Sequence, residues 1–320
     1  MKQRTLGPRG PKVSLLGLGC NNFGLRMEIE PSRAVIHKAL DVGITFFDTA
    51  DVYGKRGGSE TALGMYLGDR RKDIFLATKF GNPMDDTGTM KGGSRRYVMA
   101  AVEASLKRLR TDWIDLYQMH RPDPATPVEE TLRALDDLVK QGKIRYIGCS
   151  QLAGWQLVER QWMARHFGLT PHTACEAEYS LLARDAERDL IPAMQSYGAG
   201  LLPFYPLASG FLTGKYKRGA PLPEGARLTR GQRYADRFAT EDNWAVVEAL
   251  ERFCQERGRT LLELAFGWLA MQPVIASIIA GATKPEQVEL NAKAIDWELT
   301  PQELAEIDRI TGKTEPVSLV

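Results

Sequence analysis

WIDLYQMHRPDPATPVEETLRALDDLVKQGKIRYIGC, residues 113–149, decides the fold. Its first seven residues, Trp113–Met119, and its last six, Ile144–Cys149, are short runs rich in β-branched and aromatic residues, which predicts two strands. Between them Val128–Lys140 carries apolar residues at helical spacing, begins just after Pro127 and stops just before Gly142, which predicts a helix. Strand, helix and strand in about thirty residues make one βαβ unit.

The unit repeats outward in both directions. Further strands are predicted at Ser14–Gly19, Ile44–Asp48, Ile74–Lys79, Thr173–Ala177, Gly200–Phe204 and Ile275–Ala280. Helical patterns fall between them at Ser32–Val42, Glu60–Leu67, Arg95–Leu109, Gln151–His166, Ala186–Tyr197, Leu261–Met271 and Pro285–Ala294. Eight consecutive βα units with no linker between them fit one closed (β/α)₈ barrel, a TIM barrel of class α/β spanning 1–320 as a single domain, better than two separate domains. Outside the repeat lie an opening stretch read as an N-terminal β-hairpin, a Gly-, Pro- and Arg-rich long loop after the seventh strand at Ser209–Thr240, and extra C-terminal helices near Glu241–Arg257 and Pro301–Thr311.

Bulk properties exclude several function classes. The 320 residues are 43% hydrophobic and 26% charged, with 42 basic against 40 acidic side chains, so disorder and a nucleic-acid partner are not expected. The first residues carry scattered charges and no apolar core with a cleavage site, which predicts a cytoplasmic protein. Cys20, Cys149, Cys175 and Cys254 are too dispersed for a disulfide framework, and of His37, His120, His166 and His172 only two fall near strands, so no metal site is expected. The apolar run Leu264–Gly281 is broken at Gln272-Pro273 and reads as helix, turn and buried strand, with no membrane partner.

In a barrel of this kind the chemistry gathers where strands end. The second strand ends at Asp48, with Tyr53 five residues on; the third ends at Lys79 and the fourth at His120. Each alone is compatible with a cap, a solvated lysine or a turn. Together, a carboxylate, a phenol, an ammonium and an imidazole are the parts needed to protonate a carbonyl oxygen. Asp48 would hold the ammonium, Lys79 would lower the phenol pKa, and His120 would donate to the substrate oxygen.

The stretches FFDTADVYGKRGGSE, LATKFG, SLKRLRTDWIDLYQMHRPD, LVKQGKIRYIGCS, EYSLLAR, PLASGFLTGKY and ATKPEQVELNAKA, in this order, resemble the aldo-keto reductases over nearly the whole chain. The resemblance implies the same barrel, a catalytic tetrad of Asp48, Tyr53, Lys79 and His120, and hydride transfer from NADP(H) to the carbonyl of a small aldehyde or ketone with Tyr53 supplying the proton. No Rossmann site competes with it: Gly17-Leu18-Gly19 is followed by Asn22 where the fingerprint needs Gly, and no Tyr has Lys four residues later.

Cofactor contacts implied by the resemblance run from Gly19, Cys20, Asn21 and Asp48 through Ser150, Gln151 and Glu176 to Phe204, Tyr205, Leu207, Ser209, Gly210 and Lys215. They end at Gly281, Ala282, Thr283, Lys284, Gln287 and Asn291, where a helix N-terminus with Thr and Lys favours NADP. Phe204 would stack on the nicotinamide, and Lys215 would face the pyrophosphate. Gln151 and Glu176 depart from the usual Asn and Gln. An ionised Glu176 would favour the oxidised cofactor, whereas a carboxyl kept neutral by burial would not. Phe23, Met27, Met84, Met90 and the loop Arg227–Phe238 are expected to wall an apolar substrate pocket. A second reading, a cofactor-binding regulatory subunit like the potassium-channel β subunits, keeps the same tetrad; the lack of a long amino-terminal extension weighs against it. Nothing in the sequence fixes the oligomeric state or the physiological substrate.

Overall fold

The structure, a computed structural model, describes residues 1–8, 10–230 and 232–312. It opens with an antiparallel hairpin, β1 (Gln3–Thr5) and β2 (Lys12–Ser14). Eight strands follow: β3 (Leu16–Gly19), β4 (Phe46–Asp48), β5 (Phe75–Phe80), β6 (Ile114–Met119), β7 (Ile144–Ser150), β8 (His172–Glu178), β9 (Gly200–Phe204) and β10 (Ile278–Gly281). All are parallel, in the order β10-β3-β4-β5-β6-β7-β8-β9. The seam between β9 and β10 is closed by Leu201 N–H on the Val274 carbonyl (2.8 Å) and Ala276 N–H on the Leu201 carbonyl (2.9 Å). This is the expected (β/α)₈ barrel. The predicted eighth strand is therefore split, with Ile275 bridging β9 and only Ile278–Gly281 pairing with β3.

The helices are α1 (Ile29–Asp41), α2 (Tyr53–Tyr66), α3 (Arg95–Leu109), α4 (Val128–Lys140), α5 (Gly154–Phe167), α6 (Leu190–Tyr197), α7 (Gln232–Phe238), α8 (Glu241–Gln255), α9 (Leu261–Met271), α10 (Pro285–Ala294) and α11 (Pro301–Thr311). The bounds of α3, α4, α9, α10 and α11 match the sequence reading. Thr260 and Thr300 cap α9 and α11 reciprocally with Glu263 and Glu303, and those Thr-x-x-Glu boxes are visible in sequence. Four starts differ, and α2 begins at Tyr53 rather than Glu60, by way of a left-handed turn at Gly54 to Gly57. Helix α1 begins earlier because Pro31 sits within its first turn, α5 begins three residues later because Gln151 is left-handed (φ 58°), and a 3₁₀ turn, Asp185–Glu187, precedes α6. The stretch Ser209–Thr240 is not one loop: it holds 3₁₀ turns at Ala208–Thr213 and Arg227–Arg230 and the helix α7. Its Gly and Pro content hides these short turns from a periodicity reading. Among the described residues no helix is long and apolar enough to cross a membrane.

Strand alternation sorts the barrel interior into layers. Phe46, Ala77, Leu116, Ala174 and Leu202 are wholly buried in one apolar cluster with Leu6 and Val13 of the hairpin region. A Cβ at Gly7 (φ 72°) would lie 2.6 Å from the Gly198 carbonyl and 3.1 Å from that of Thr173, so the hairpin is pressed against the starts of β8 and β9. It closes the N-terminal end of the barrel and leaves the C-terminal end open. Two residues further along, toward that open end, the same strands carry Asp48, Lys79, Gln118 and Glu176. One polar layer thus sits on an apolar floor.

Candidate active site

All four polar side chains of that layer are buried. Lys79 Nζ lies 2.5 Å from Asp48 Oδ2, 3.1 Å from the Thr49 carbonyl and 3.1 Å from Glu176 Oε2. Gln118 Nε2 donates to Asp48 Oδ1 (3.3 Å) and Glu176 Oε2 (3.4 Å). The ammonium is wholly buried, yet its pKa stays well above the ordinary lysine value: burial opposes the charge, and Asp48, Glu176 and Tyr53 outweigh burial. Asp48 is raised by burial against the pull of Lys79, and Glu176 is pushed up to about 7 by burial and by the Asp48 charge.

Tyr53 follows β4 by a short loop and stands on this layer. Its residue ends the loop at a left-handed turn, Gly54 to Gly57 (φ 68°, 59°, 68° and 122°), before regular helical geometry takes over in α2. Lys55 and Arg56 are held in a conformation that side chains disfavour. The Tyr53 ring meets His120 edge-on at 5.5 Å, with Lys79 Nζ 5.2 Å from its centroid. The expected lowering of the phenol pKa does not occur. Lys79 does pull it down, but burial is the larger effect and Glu176 and Asp48 add to it, so the phenol is raised and keeps its proton.

His120 is held well below the ordinary histidine value by burial and by the Lys79 and Arg121 charges, so it is neutral. Asn82 Nδ2 lies 2.9 Å from His120 Nδ1. With that amide donating, Nδ1 accepts and Nε2 carries the ring hydrogen toward the cavity.

The open end of the barrel holds a cavity of about 820 Å³. Gly19, Cys20, Asn21, Asp48, Tyr53, His120, Ser150, Gln151, Glu176, Phe204, Tyr205, Leu207, Ser209, Gly210, Lys215, Gly281, Thr283, Gln287 and Asn291 line it, as the sequence reading placed them. Lys79 lies beneath the lining, under the Tyr53 ring. Ala282 and Lys284 do not line it: Ala282 is buried, its carbonyl accepting from Asn22 Nδ2 (3.1 Å), and Lys284 is exposed at the N-cap of α10. Phe23, Met27, Met84 and Met90 are absent from the lining; Phe23 is wholly buried, while Met27 and Met84 pack on the core. Asn82, Arg121 and Glu178 line it instead, together with Arg227 and Arg237 of the expected loop, so the expected apolar pocket is polar on this side.

Sequence reasoning missed Asn22, Arg26, Asn82 and Arg121, gave Gln118 no role, and placed Arg227 only in a pocket wall. Gln118 had a signal, two residues beyond Leu116 on the inward face; the loop residues had none. Arg227 is stacked 5.1 Å from the Tyr205 ring, and Arg237 pairs with Glu178, so the 227–238 segment is tied to the end of β8 and to the residue after β9. Among the described residues neither Lys215 nor Arg227 has an ion-pair partner, and burial with the neighbouring Arg227 lowers the Lys215 pKa. The cavity-lining atoms Asn22 Oδ1, Ser209 Oγ and Arg227 Nε are buried without a hydrogen-bond partner. Tyr205, Ala208 and Ser209 are left-handed (φ 53°, 44° and 58°) beside them. Unpaired cations, unpartnered buried polar atoms and strained backbone on one wall fit an extended anionic ligand such as a dinucleotide.

A (β/α)₈ barrel with a Tyr, Lys, Asp and His cluster at the C-terminal ends of its strands defines a class of barrel proteins that handle carbonyl chemistry beside a bound dinucleotide. The chain belongs to the aldo/keto reductase family, whose model matches residues 15–311. It is 36% identical over 321 residues to a probable voltage-gated potassium channel subunit beta of Arabidopsis thaliana, covering 97% of this chain and 96% of that protein. It is 34% identical to L-glyceraldehyde 3-phosphate reductase of Escherichia coli K12, covering 97% and 92%, and 36% identical to the uncharacterized oxidoreductase YrpG of Bacillus subtilis 168, covering 97% and 96%.

Proposed function

We propose that this protein is an NADPH-dependent reductase of small polar aldehydes or ketones. The observation that carries the reading is the neutral Tyr53–His120 pair at the cavity floor with Lys79 and Asp48 ion-paired beneath it. Bound NADPH supplies the hydride. Ser150, Gln151 and Glu176 would hold its carboxamide end, Phe204 would stack on the ring, Ser209, Lys215 and Arg227 would face its phosphates, and Thr283, Gln287 and Asn291 would take the adenosine end. The family membership and the unpaired cations of the wall support these assignments.

Substrate enters from the side lined by Asn82 and Arg121, and His120 Nε2–H donates to its carbonyl oxygen. As negative charge grows on that oxygen, Tyr53 gives up its proton, and Lys79 stabilises the phenolate left behind. A phenol of raised pKa still protonates an alkoxide, which is the stronger base. Asp48 and Gln118 fix the ammonium so that no reorganisation is needed at that moment. Steady-state NADPH oxidation with a panel of polar carbonyls tests the reading; no turnover with any of them would sink it.

The 36% identity to proteins named as potassium channel β subunits favours a second reading, a cofactor-binding regulatory subunit. Counting turnovers separates the two. A single turnover limited by trapped oxidised cofactor supports the regulatory reading, and continuous turnover supports the reductase.

A further inference from the structure

The polar layer contains two carboxylates for one ammonium. Glu176 and Asp48 both reach Lys79, and Gln118 bridges them from a single amide nitrogen. Only Asp48 is needed to hold Lys79, and Glu176 replaces the uncharged side chain that the resemblance leads one to expect. Two negative charges this close in a buried site do not both stay ionised, so one carboxyl keeps a proton. Asp48 has the shorter contacts to Lys79 and Gln118, and Glu176, with the longer ones, is the holder of the proton. Glu176 also lines the cavity, through which it exchanges with solvent.

We propose that Glu176 is a positioning and proton-supplying residue, which returns a proton to Tyr53 through the Lys79 ammonium as Tyr53 protonates the substrate. The inference rests on the reductase reading above. The Tyr53 O–H bond breaks as the product O–H bond forms. A Lys79 N–H bond breaks as the Tyr53 O–H bond reforms, and the Glu176 carboxyl O–H breaks as the Lys79 N–H reforms. The Glu176 carboxylate then takes a proton from solvent, so each turnover consumes one solvent proton and leaves the cluster unchanged. The order of the groups follows their stacking, since Lys79 Nζ lies beneath Tyr53, 5.2 Å from its ring centroid, and 3.1 Å from Glu176 Oε2.

Several ionisable groups face this cluster. Asp48 from β4, Lys79 from β5 and Tyr53 from the loop after β4 surround Glu176, Cys175 adjoins it on β8, and Cys20 after β3 faces Asp48 and Lys79. Burial raises the Cys20 thiol, the hydrogen bond with Cys149 and burial raise that of Cys175, and Tyr53 and Lys79 also titrate high, so these groups are silent near neutrality. Glu176, near 7, is the group of the cluster whose proton is exchanged there.

The test is kcat for NADPH-dependent carbonyl reduction against pH, in wild type, Glu176→Gln and Glu176→Asp. Wild-type kcat is expected to fall about tenfold as pH rises through about 7. The fall disappears in Glu176→Gln, whose acidic-side rate is about tenfold lower, and reappears at a shifted pH in Glu176→Asp. Infrared difference spectra of the cofactor-free chain give a readout independent of turnover. A protonated-carboxyl band should vanish between about pH 5 and about pH 9 in wild type, and the part due to Glu176 should be missing in Glu176→Gln. Active wild type and Glu176→Gln with the same pH profile would overturn the relay and leave the reductase reading intact. No turnover in wild type at any pH would overturn the reductase reading and the relay with it. Absence of the titrating band would overturn the relay whatever the kinetics.

Discussion

Lys79 places its ammonium 2.5 Å from Asp48 Oδ2, with both side chains almost wholly out of solvent. A charge in that position is tolerated only while it is paired, because an isolated buried ion loses far more hydration than the protein returns. The pair therefore carries stability as well as chemistry, and the two contributions are separable by experiment.

Removing the cation leaves Asp48 and Glu176 facing each other without a counter-charge. Lys79→Met is expected to cost about 3–5 kcal/mol in chemical denaturation at neutral pH. The variant should regain part of that at acidic pH, where its unpaired carboxyls take up protons. An equal loss at pH 5 and pH 8 would show that the carboxylates are not the source.

The phenol can be removed with little change in packing, since its ring sits edge-on to His120. Tyr53→Phe should keep NADPH affinity within about threefold while carbonyl reduction falls by about 10²–10⁴-fold. Fluorescence titration and steady-state kinetics on the same preparation check the two halves, and retained turnover would remove Tyr53 as the acid.

Two buried carboxyls set the acid side of the stability profile. Asp51 is pushed up to about 7 by burial and the neighbouring Glu60 charge, against the hydrogen bond donated by Tyr97 Oη (3.2 Å), and Glu176 is pushed up to about 7 as well. Both bind a proton more tightly when folded than unfolded. Their contribution is therefore complete below about pH 4 and is lost as pH rises through about 7, by roughly 3–4 kcal/mol each. Urea unfolding of the cofactor-free chain from about pH 4 to about pH 8 should show this decline, and Asp51→Asn should flatten about half of it; a profile rising with pH would contradict both shifts.

Lys215 and Arg227 line the cavity wall without an ion-pair partner among the described residues. Lys215→Met and Arg227→Ala should each weaken NADPH binding about tenfold and reduce its dependence on salt. Tyr53 and His120 are untouched, so kcat at saturating cofactor should hold. Unchanged affinity in both variants would mean that the phosphates lie elsewhere.

The sequence by itself determined the barrel and the strand ends at which Asp48, Tyr53, Lys79 and His120 gather. Strand alternation and the spacing of Asp48, Tyr53, Lys79 and His120 are local patterns, and an eight-fold βα repeat has few ways to close. Most lining residues of the cavity were legible for the same reason, because strand ends lie at one end of a barrel. What only the tertiary structure decided depends on register and on loop paths. Register sets Gln118 opposite Lys79, and closure of the barrel brings Glu176 of β8 within reach of both side chains; no single strand contains that information. Burial, which exists only after folding, reversed the expected sign of the Tyr53 pKa shift. Loop geometry carried Lys284 away from the cavity, brought Arg121 and Asn82 to it, and kept Phe23 and the loop methionines out of its lining. Periodicity constrains residues that pair in ladders; a loop obeys only its anchors.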